Sequence, residues 1–226
     1  MSDAQNTLER RRRVHLSPRL CTVVNYLTDL SVELGGAVFK NPVMPASGTY
    51  DYFENNADCF PVSELGAVMI KSVHRLQRPG NPGPRIAEVC GGMLNCVGIP
   101  SVGIEAFLRD ELPRYENIGT QVILSISGSE PVHYAEIAEL VSDDPRIAAT
   151  LERTLSCPNV VSGLPFSSDP QLLYDTVRQT RQRTTLPLYA KLSPNVTDIR
   201  VSCRAAEDAG ADALTLSNTF RAMTID

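Results

Sequence analysis

A thiol stands in the tetrapeptide Ser156-Cys157-Pro158-Asn159, directly after the strand-like run Ile147-Ala148-Ala149-Thr150-Leu151. Pro158 cannot donate to a ladder and biases Cys157 away from helix, so the thiol sits where a strand must stop. In a barrel of parallel strands that place is the catalytic rim. A thiolate there can act as base or nucleophile once its pKa is brought near ambient pH. Other strand-like runs end in the same manner. Val43-Met44-Pro45-Ala46 runs into Ser47-Gly48-Thr49, and Gly66 to Ile70 runs into Lys71-Ser72. Thr120 to Ser127 carries Ser125 and Ser127 at its end, Pro187 to Leu192 carries Lys191 before Ser193, and Ala213 to Leu216 precedes Ser217-Asn218-Thr219. The opposite ends of these runs hold nothing comparable. Two lysines, the carboxamides of Asn159 and Asn218 and a thiol can therefore meet at one rim. Lysines facing a pocket there would bind an anionic ligand or an electron-rich ring.

Each residue alone has a plainer explanation. A lysine ending a strand ordinarily snorkels to solvent, and a cysteine ordinarily fills core space. It is the recurrence on successive strands that favours a site. Cys21, Cys59, Cys90, Cys96 and Cys203 are read as packing residues. His15, His74 and His133 lack ligand spacing and are read as surface or packing residues, so no metal site is expected.

The elements that must position these groups alternate. Leu30 to Leu34 and Ala37 to Lys40 flank Gly35-Gly36 and read as a β-hairpin. Helical periodicity follows over 104–115, 132–141, 170–181 and 196–209, with Asp169-Pro170 and Thr197-Asp198 as entries and Gly210 as a stop. Strands alternating with helices mean a parallel sheet, either doubly wound or closed as a (β/α)₈ TIM barrel. No glycine fingerprint follows the first strand, and a hairpin able to plug a barrel floor opens the domain, so the barrel is favoured. About six of its eight βα units are visible. Residues 1–29 read as a partly flexible leader, with Arg10 to Arg13 a solvated charge run, and residues 30–226 as an incomplete barrel domain. The stretch from Arg75 to Ser101 is rich in Gly and Pro with little periodicity, and long loops of that kind are commonly functional. In it Asn95 and Gly98 can bring a carboxamide and a bare backbone to a ligand.

The net charge of −5 argues against nucleic acid as a general partner. No run approaches the length of a membrane span. Six scattered cysteines without a CxxC pair suit reduced thiols and a cytoplasmic location.

These residues resemble the dihydroorotate dehydrogenase family. The resemblance runs from about residue 30 to the final residues through NPVMPASGTY, IKSV, RPGNPGPR, GMLNCVGIPS, SCPNV, AKLSPNVTDI and the closing Ser-Asn-Thr. A cysteine in the SCPN loop is similar to class 1. GNPGPR and LSPNVTDI are similar to class 1B, whose members pair with an iron–sulfur, FAD-containing subunit and pass electrons to NAD. The resemblance implies an FMN-containing (β/α)₈ barrel oxidising dihydroorotate to orotate in pyrimidine biosynthesis. It implies Cys157 as the catalytic base, and Lys71, Asn95, Val97, Gly98, Ile99, Asn159, Asn218 and Thr219 around the substrate. It implies Ala46, Ser47, Gly48, Lys71, Ser72 and Lys191 around FMN, and a homodimer or heterotetramer as the assembly.

Three features depart from the family pattern. Thr154 replaces an asparagine three residues before the cysteine, and a hydroxyl lacks the amide's separate donor and acceptor. Arg153 replaces an apolar residue, and alternation puts it on the face opposite Thr154. No counterpart follows strand six for the last two strands, whose glycine-rich loops grip the FMN phosphate. Two alternatives stay open on these grounds: a truncated, non-catalytic paralogue acting as a binding module, and a flavin barrel acting on another dihydropyrimidine such as dihydrouracil.

Overall fold

The computed structural model describes residues 28–49, 60–147, 150–154 and 169–225. The chain opens with the expected hairpin, β1 (Val32–Leu34) and β2 (Ala37–Phe39), paired antiparallel. Gly35 and Gly36 take φ of 56° and 86°, the left-handed pair that a two-residue turn of matching twist requires. There follow β3 (Ala67–His74), β4 (Ile86–Val89), β5 (Gly92–Asn95) and α1 (Ile104–Ala106). The last continues through a π turn at Phe107–Glu111 into a 3₁₀ turn at Leu112–Tyr115, where Pro113 cannot supply a helical donor. Then come β6 (Gln121–Ser127), α2 (Pro131–Val141), β7 (Thr150–Thr154), α3 (Pro170–Arg181), β8 (Leu188–Lys191), α4 (Ile199–Asp208) and β9 (Ala213–Thr215).

The helix entries are those written in the sequence. The Asp169 carboxylate accepts from Gln171 N and Leu172 N at 2.9 and 3.3 Å with Pro170 in the first turn, and Asp198 accepts from Arg200 N at 3.0 Å. Gly210 leaves α4 at φ 98°.

Strands β3, β6, β7, β8 and β9 form one parallel sheet in chain order. One face carries Val68, Ile70, Leu124, Ile126, Leu188 and Ala190, packed against Tyr134, Ile137, Leu173, Val177 and Ala206 of the helices. The other carries Ala67, Met69, Ile123 and Tyr189, packed against Ala37 and Phe39 of the hairpin. Helices α1 to α4 all contribute to the first cluster and none to the second. Helices on a single face are the arrangement of a barrel wall; a doubly wound sheet would have them on both. Among the described residues this wall does not close on itself.

The hairpin covers the N-terminal ends of the inner face. Tyr189 donates its hydroxyl to Leu34 O at 2.7 Å, and Gln121 Nε2 donates to Val38 O at 2.6 Å. Burial, and then the Asp212 charge, raise the Tyr189 pKa, so the phenol stays a donor. Asp212 also accepts from Leu188 N at 2.7 Å and from Arg181 Nη1 at 2.8 Å, which ties β8, β9 and α3 at the floor.

Four expectations are corrected. Val43-Met44-Pro45-Ala46 is no strand: Pro42 and Pro45 have no N–H, and the segment is left with one backbone bond to the sheet's start, Gly66 N to Val43 O at 2.8 Å. The fourth run begins within a 3₁₀ turn (Pro145–Ile147), and among the described residues its ladder covers Thr150–Thr154. The Arg75–Ser101 stretch is an antiparallel ribbon. Arg78 and Ser101 bond reciprocally at 2.8 and 2.9 Å, Asn81 N reaches Val97 O at 3.1 Å, Cys96 N reaches Arg85 O at 2.8 Å, and β4 pairs with β5 beyond them. Cys90 and Cys96 are exposed on this ribbon and do not pack a core, because the strands beside them are themselves largely exposed. Of the leader, only Thr28 and Asp29 fall within the described residues.

Gly66 marks the tightest crossing. A Cβ there would stand 2.0 Å from Asn41 O, and the Asn41 side chain is itself pinned to Glu64 O at 2.8 Å. Gly66→Ala is expected to destabilise the fold by about 1–3 kcal/mol. An unchanged urea midpoint would contradict the close approach.

Candidate functional site

Among the described residues, Lys71, Ser72, Ser125 and Lys191 stand towards the C-terminal ends of their strands. β3 is irregular there: three residues advance from Ile70 to Val73 against two on β6 from Leu124 to Ile126. The extra residue turns Ser72 towards the inner side, where its Oγ meets Ser125 Oγ at 2.7 Å. Lys71, two residues beyond Met69, is the one exposed position of β3. The turn Ala46–Thr49 lies against it. Thr49 N bonds Ala46 O at 3.1 Å, Ser47 Oγ donates to Ile70 O at 3.1 Å, and a Cβ on Gly48 (φ 77°) would stand 3.5 Å from the Lys71 stem.

The ribbon brings a second cation. Arg85 Nε donates to Asn81 O at 2.6 Å and its Nη2 to Pro79 O at 3.2 Å. Partial burial, and then the Arg85 charge, hold the Lys71 pKa below the ordinary lysine value. Lys71 and Ser72 line a hollow of about 270 Å³ with Arg78 and Ser101.

A larger cleft, of about 980 Å³, opens between the outer half of the ribbon and the loops after β8 and β9. Asn95, Val97, Gly98, Ile99, Asn218 and Thr219 all line it. Lys71 does not line this cleft; it stands in the smaller hollow. Gly98 (φ 75°) is packed so closely that a Cβ would lie 2.5 Å from Asn81 N. Ile99 has φ 48°, a conformation that costs a β-branched residue about 1–3 kcal/mol. Lys191 is buried at the end of β8, in backbone register with Thr154 of β7. Arg153 is in register with Ile126 and Ala190. Cys157 and Asn159 lie outside the described residues.

Three residues of this region were not singled out from the sequence. Arg85 and Asn195 lie within RPGNPGPR and AKLSPNVTDI, but nothing in their local spacing distinguishes them from surface residues. Asn195 Nδ2 donates to Thr219 O at 2.9 Å, and its Oδ1 accepts from Arg221 N at 2.9 Å. Arg221 gives no signal beyond its charge.

The family comparison decides what this rim belongs to. The dihydroorotate dehydrogenase family model matches residues 29–226. The chain belongs to the dihydroorotate dehydrogenase family. Among curated relatives it is 45% identical over 199 residues to a protein of Pelobacter propionicus, covering 88% of this chain and 65% of that one. It is 44% identical over 198 residues to a protein of Geobacillus kaustophilus (87% and 63%) and 47% identical over 197 residues to one of Desulforudis audaxviator (87% and 64%). Each is named dihydroorotate dehydrogenase B (NAD(+)), catalytic subunit. The chain spans a little under two thirds of the length of these relatives. No helix among the described residues is long and apolar enough to cross a membrane.

His74 is the last residue of β3, in register with Ser127 of β6. Both are buried, and neither His74 Nε2 nor Ser127 Oγ has a hydrogen-bond partner among the described residues. Burial, then the charges of Arg78 and His133, push the His74 pKa down to about 4. An unfolded chain binds that proton near pH 6.5. Between these values only the unfolded state is protonated, so stability is full above about pH 6.5 and falls towards pH 4, by at most about 1.4 kcal/mol per pH unit. His74→Leu is expected to flatten this limb in urea unfolding followed from pH 7 to 4. A slope identical to that of the unaltered protein would contradict the buried neutral imidazole.

Proposed function

We propose that this chain is the catalytic portion of a class 1B dihydroorotate dehydrogenase, oxidising dihydroorotate to orotate in pyrimidine biosynthesis. The observation that carries this reading is the agreement of the matched relatives, all of one printed name, with a rim bearing Lys71, Asn95, Asn218 and Thr219. Barrel closure by further βα units belongs to the same proposal.

The residues of the rim suit FMN. The Gly48 turn leaves bare backbone beside the Lys71 stem, and Lys71 with Arg85 supplies positive charge where a reduced flavin ring carries negative charge. Ala46, Ser47, Ser72 and Lys191 would complete its surroundings. When bound, FMN supplies the hydride acceptor. The chain's own residues supply the rest. Cys157 takes the proton from the ring carbon adjacent to the one that loses hydride, and the electron pair of that C–H bond becomes the new ring double bond. Asn95, Asn159 and Asn218 orient the ring through its amide edges, with Thr219 and the backbone of Val97, Gly98 and Ile99 beside them. A thiol serves as base here when water is kept out and its pKa is tuned close to ambient pH. An iron–sulfur, FAD-containing subunit would carry the electrons onward to NAD, in a cytoplasmic heterotetramer or from a homodimeric core.

The test is anaerobic reduction of the FMN-loaded protein by dihydroorotate, followed by loss of the flavin visible band. The unaltered protein is expected to bleach, and Cys157→Ala to bleach at least about a hundredfold more slowly. A Cys157→Ala rate equal to the unaltered one would remove the thiol from the reaction. Bleaching by dihydrouracil and not by dihydroorotate would replace the substrate.

A further inference from the structure

The strap that follows β9 has little apolar burial to hold it. Leu216, Phe220, Met223 and Ile225 are exposed, and from Leu216 to Ile225 the chain joins no helix or ladder. Yet Asn218 and Thr219, which line the large cleft, belong to this strap. Its place is set by hydrogen bonds, and two of these meet at Asn195. Asn195 Nδ2 donates to Thr219 O at 2.9 Å, and Asn195 Oδ1 accepts from Arg221 N at 2.9 Å, on either side of Phe220. Just before Thr219, Asn218 N donates to Leu192 O at 3.0 Å. A neighbouring strand would engage the same two groups, the C=O of one residue and the N–H two residues on. A carboxamide can do so from one side chain, since its donor and its acceptor are separate atoms.

Asn195 is itself firmly seated. Its backbone N and its Nδ2 both donate to Ser193 Oγ at 3.1 Å, and Ser193 is buried just beyond β8. Asp198 then opens α4, so the carboxamide stands on a short connection anchored at both ends. The grip passes on to the lining residues. Asn218 Oδ1 accepts from Thr219 N at 2.7 Å and from Thr219 Oγ1 at 3.3 Å, so fixing Thr219 also fixes the Asn218 carboxamide.

We infer that Asn195 is a positioning residue, which sets the register of the strap so that Asn218, with Thr219 beside it, faces a ring ligand in the cleft. This inference rests on the reading proposed above and deepens it. Asn195 borders the cleft, but its carboxamide is committed to Ser193, Thr219 and Arg221, so it acts through the strap. Without it, ligand binding would have to order the strap as well, and that cost is subtracted from affinity.

The test is a double-mutant cycle on orotate binding. Dissociation constants are measured by ligand-detected NMR titration of the FMN-loaded full chain, and bound FMN is counted in each sample. The unaltered protein, Asn195→Ala, Asn218→Ala and the double variant are compared. Asn195→Ala is expected to weaken orotate binding about tenfold or more with FMN content unchanged. On the Asn218→Ala background the same change is expected to cost less than about threefold, because the contact it serves is gone. Equal losses on the two backgrounds overturn the inference, since Asn195 would then act independently of Asn218. An unchanged orotate affinity in Asn195→Ala overturns it too, and leaves the dihydroorotate reading standing. If the alanine variant loses FMN, Asn195→Asp takes its place in the cycle. That change keeps the shape and the acceptor for Arg221 N but sets an oxygen against Thr219 O, and the same outcomes decide. Failure of the unaltered protein to bind orotate at all sinks the underlying reading, and the inference with it.

Discussion

Everything at the rim depends on the sheet having one face for helices and one face left for other uses. The helix face is conventional core: aliphatic side chains from β3, β6 and β8 packed against α2, α3 and α4. The opposite face has no helix layer among the described residues, so its apolar start must be covered by something short. The β1–β2 hairpin does this with Ala37 and Phe39 against Ala67, Met69, Ile123 and Tyr189. The hydrogen bonds from Tyr189 to Leu34 and from Gln121 to Val38 fix its height along the strands. With the floor closed, the same face can turn polar further along each strand. Met69 gives way to Lys71 and Ser72, Ile123 to Ser125, and Tyr189 to Lys191. The candidate rim starts from the polar half of a face whose apolar half is sealed.

The second constraint is the ribbon. Its legs, from Arg78 to Arg85 and from Cys96 to Ser101, are joined by backbone bonds and by Asn81, whose Nδ2 donates to Cys96 O, while the Arg85 guanidinium binds two carbonyls of its own leg. That keeps the cation in place without an acidic partner among the described residues, so its charge remains felt at Lys71. The strained Ile99 and the crowded Gly98 occur where this ribbon lines the large cleft. Strain of this sort persists only where surrounding contacts over-determine it, and here they are the bonds of Asn81 to Val97 O and Cys96 O.

Much of this was legible in the sequence. Helix periodicity, Asp caps and a Gly-Gly turn are local signals, and local chemistry decided those elements. So was the strand-end placement of Lys71, Ser125 and Lys191, because a parallel sheet sends every C-terminal strand end to the same side. The choice between barrel wall and doubly wound sheet was only weakly visible, since it depends on which face each helix packs against. Val43 to Ala46 misled because its apolar run outweighed its prolines. The ribbon was hidden because Arg78 pairs with Ser101 across a stretch of Gly and Pro that carries no alternation. Asn195 escaped notice for a related reason, since its partners Thr219 and Arg221 belong to a distant loop, and Arg85 because its acceptors are carbonyls of an irregular Gly- and Pro-rich leg.

The central claim is that one rim brings a thiol, cations and carboxamides around a flat ring acid. A crystal structure of the protein with FMN and orotate tests it most directly. The account predicts orotate between the ribbon and the strap after β9, within hydrogen-bond distance of Asn95 and Asn218, with Cys157 Sγ against the ring and Lys71 beside the flavin. Orotate bound elsewhere, or Cys157 directed into the helix layer, would contradict it.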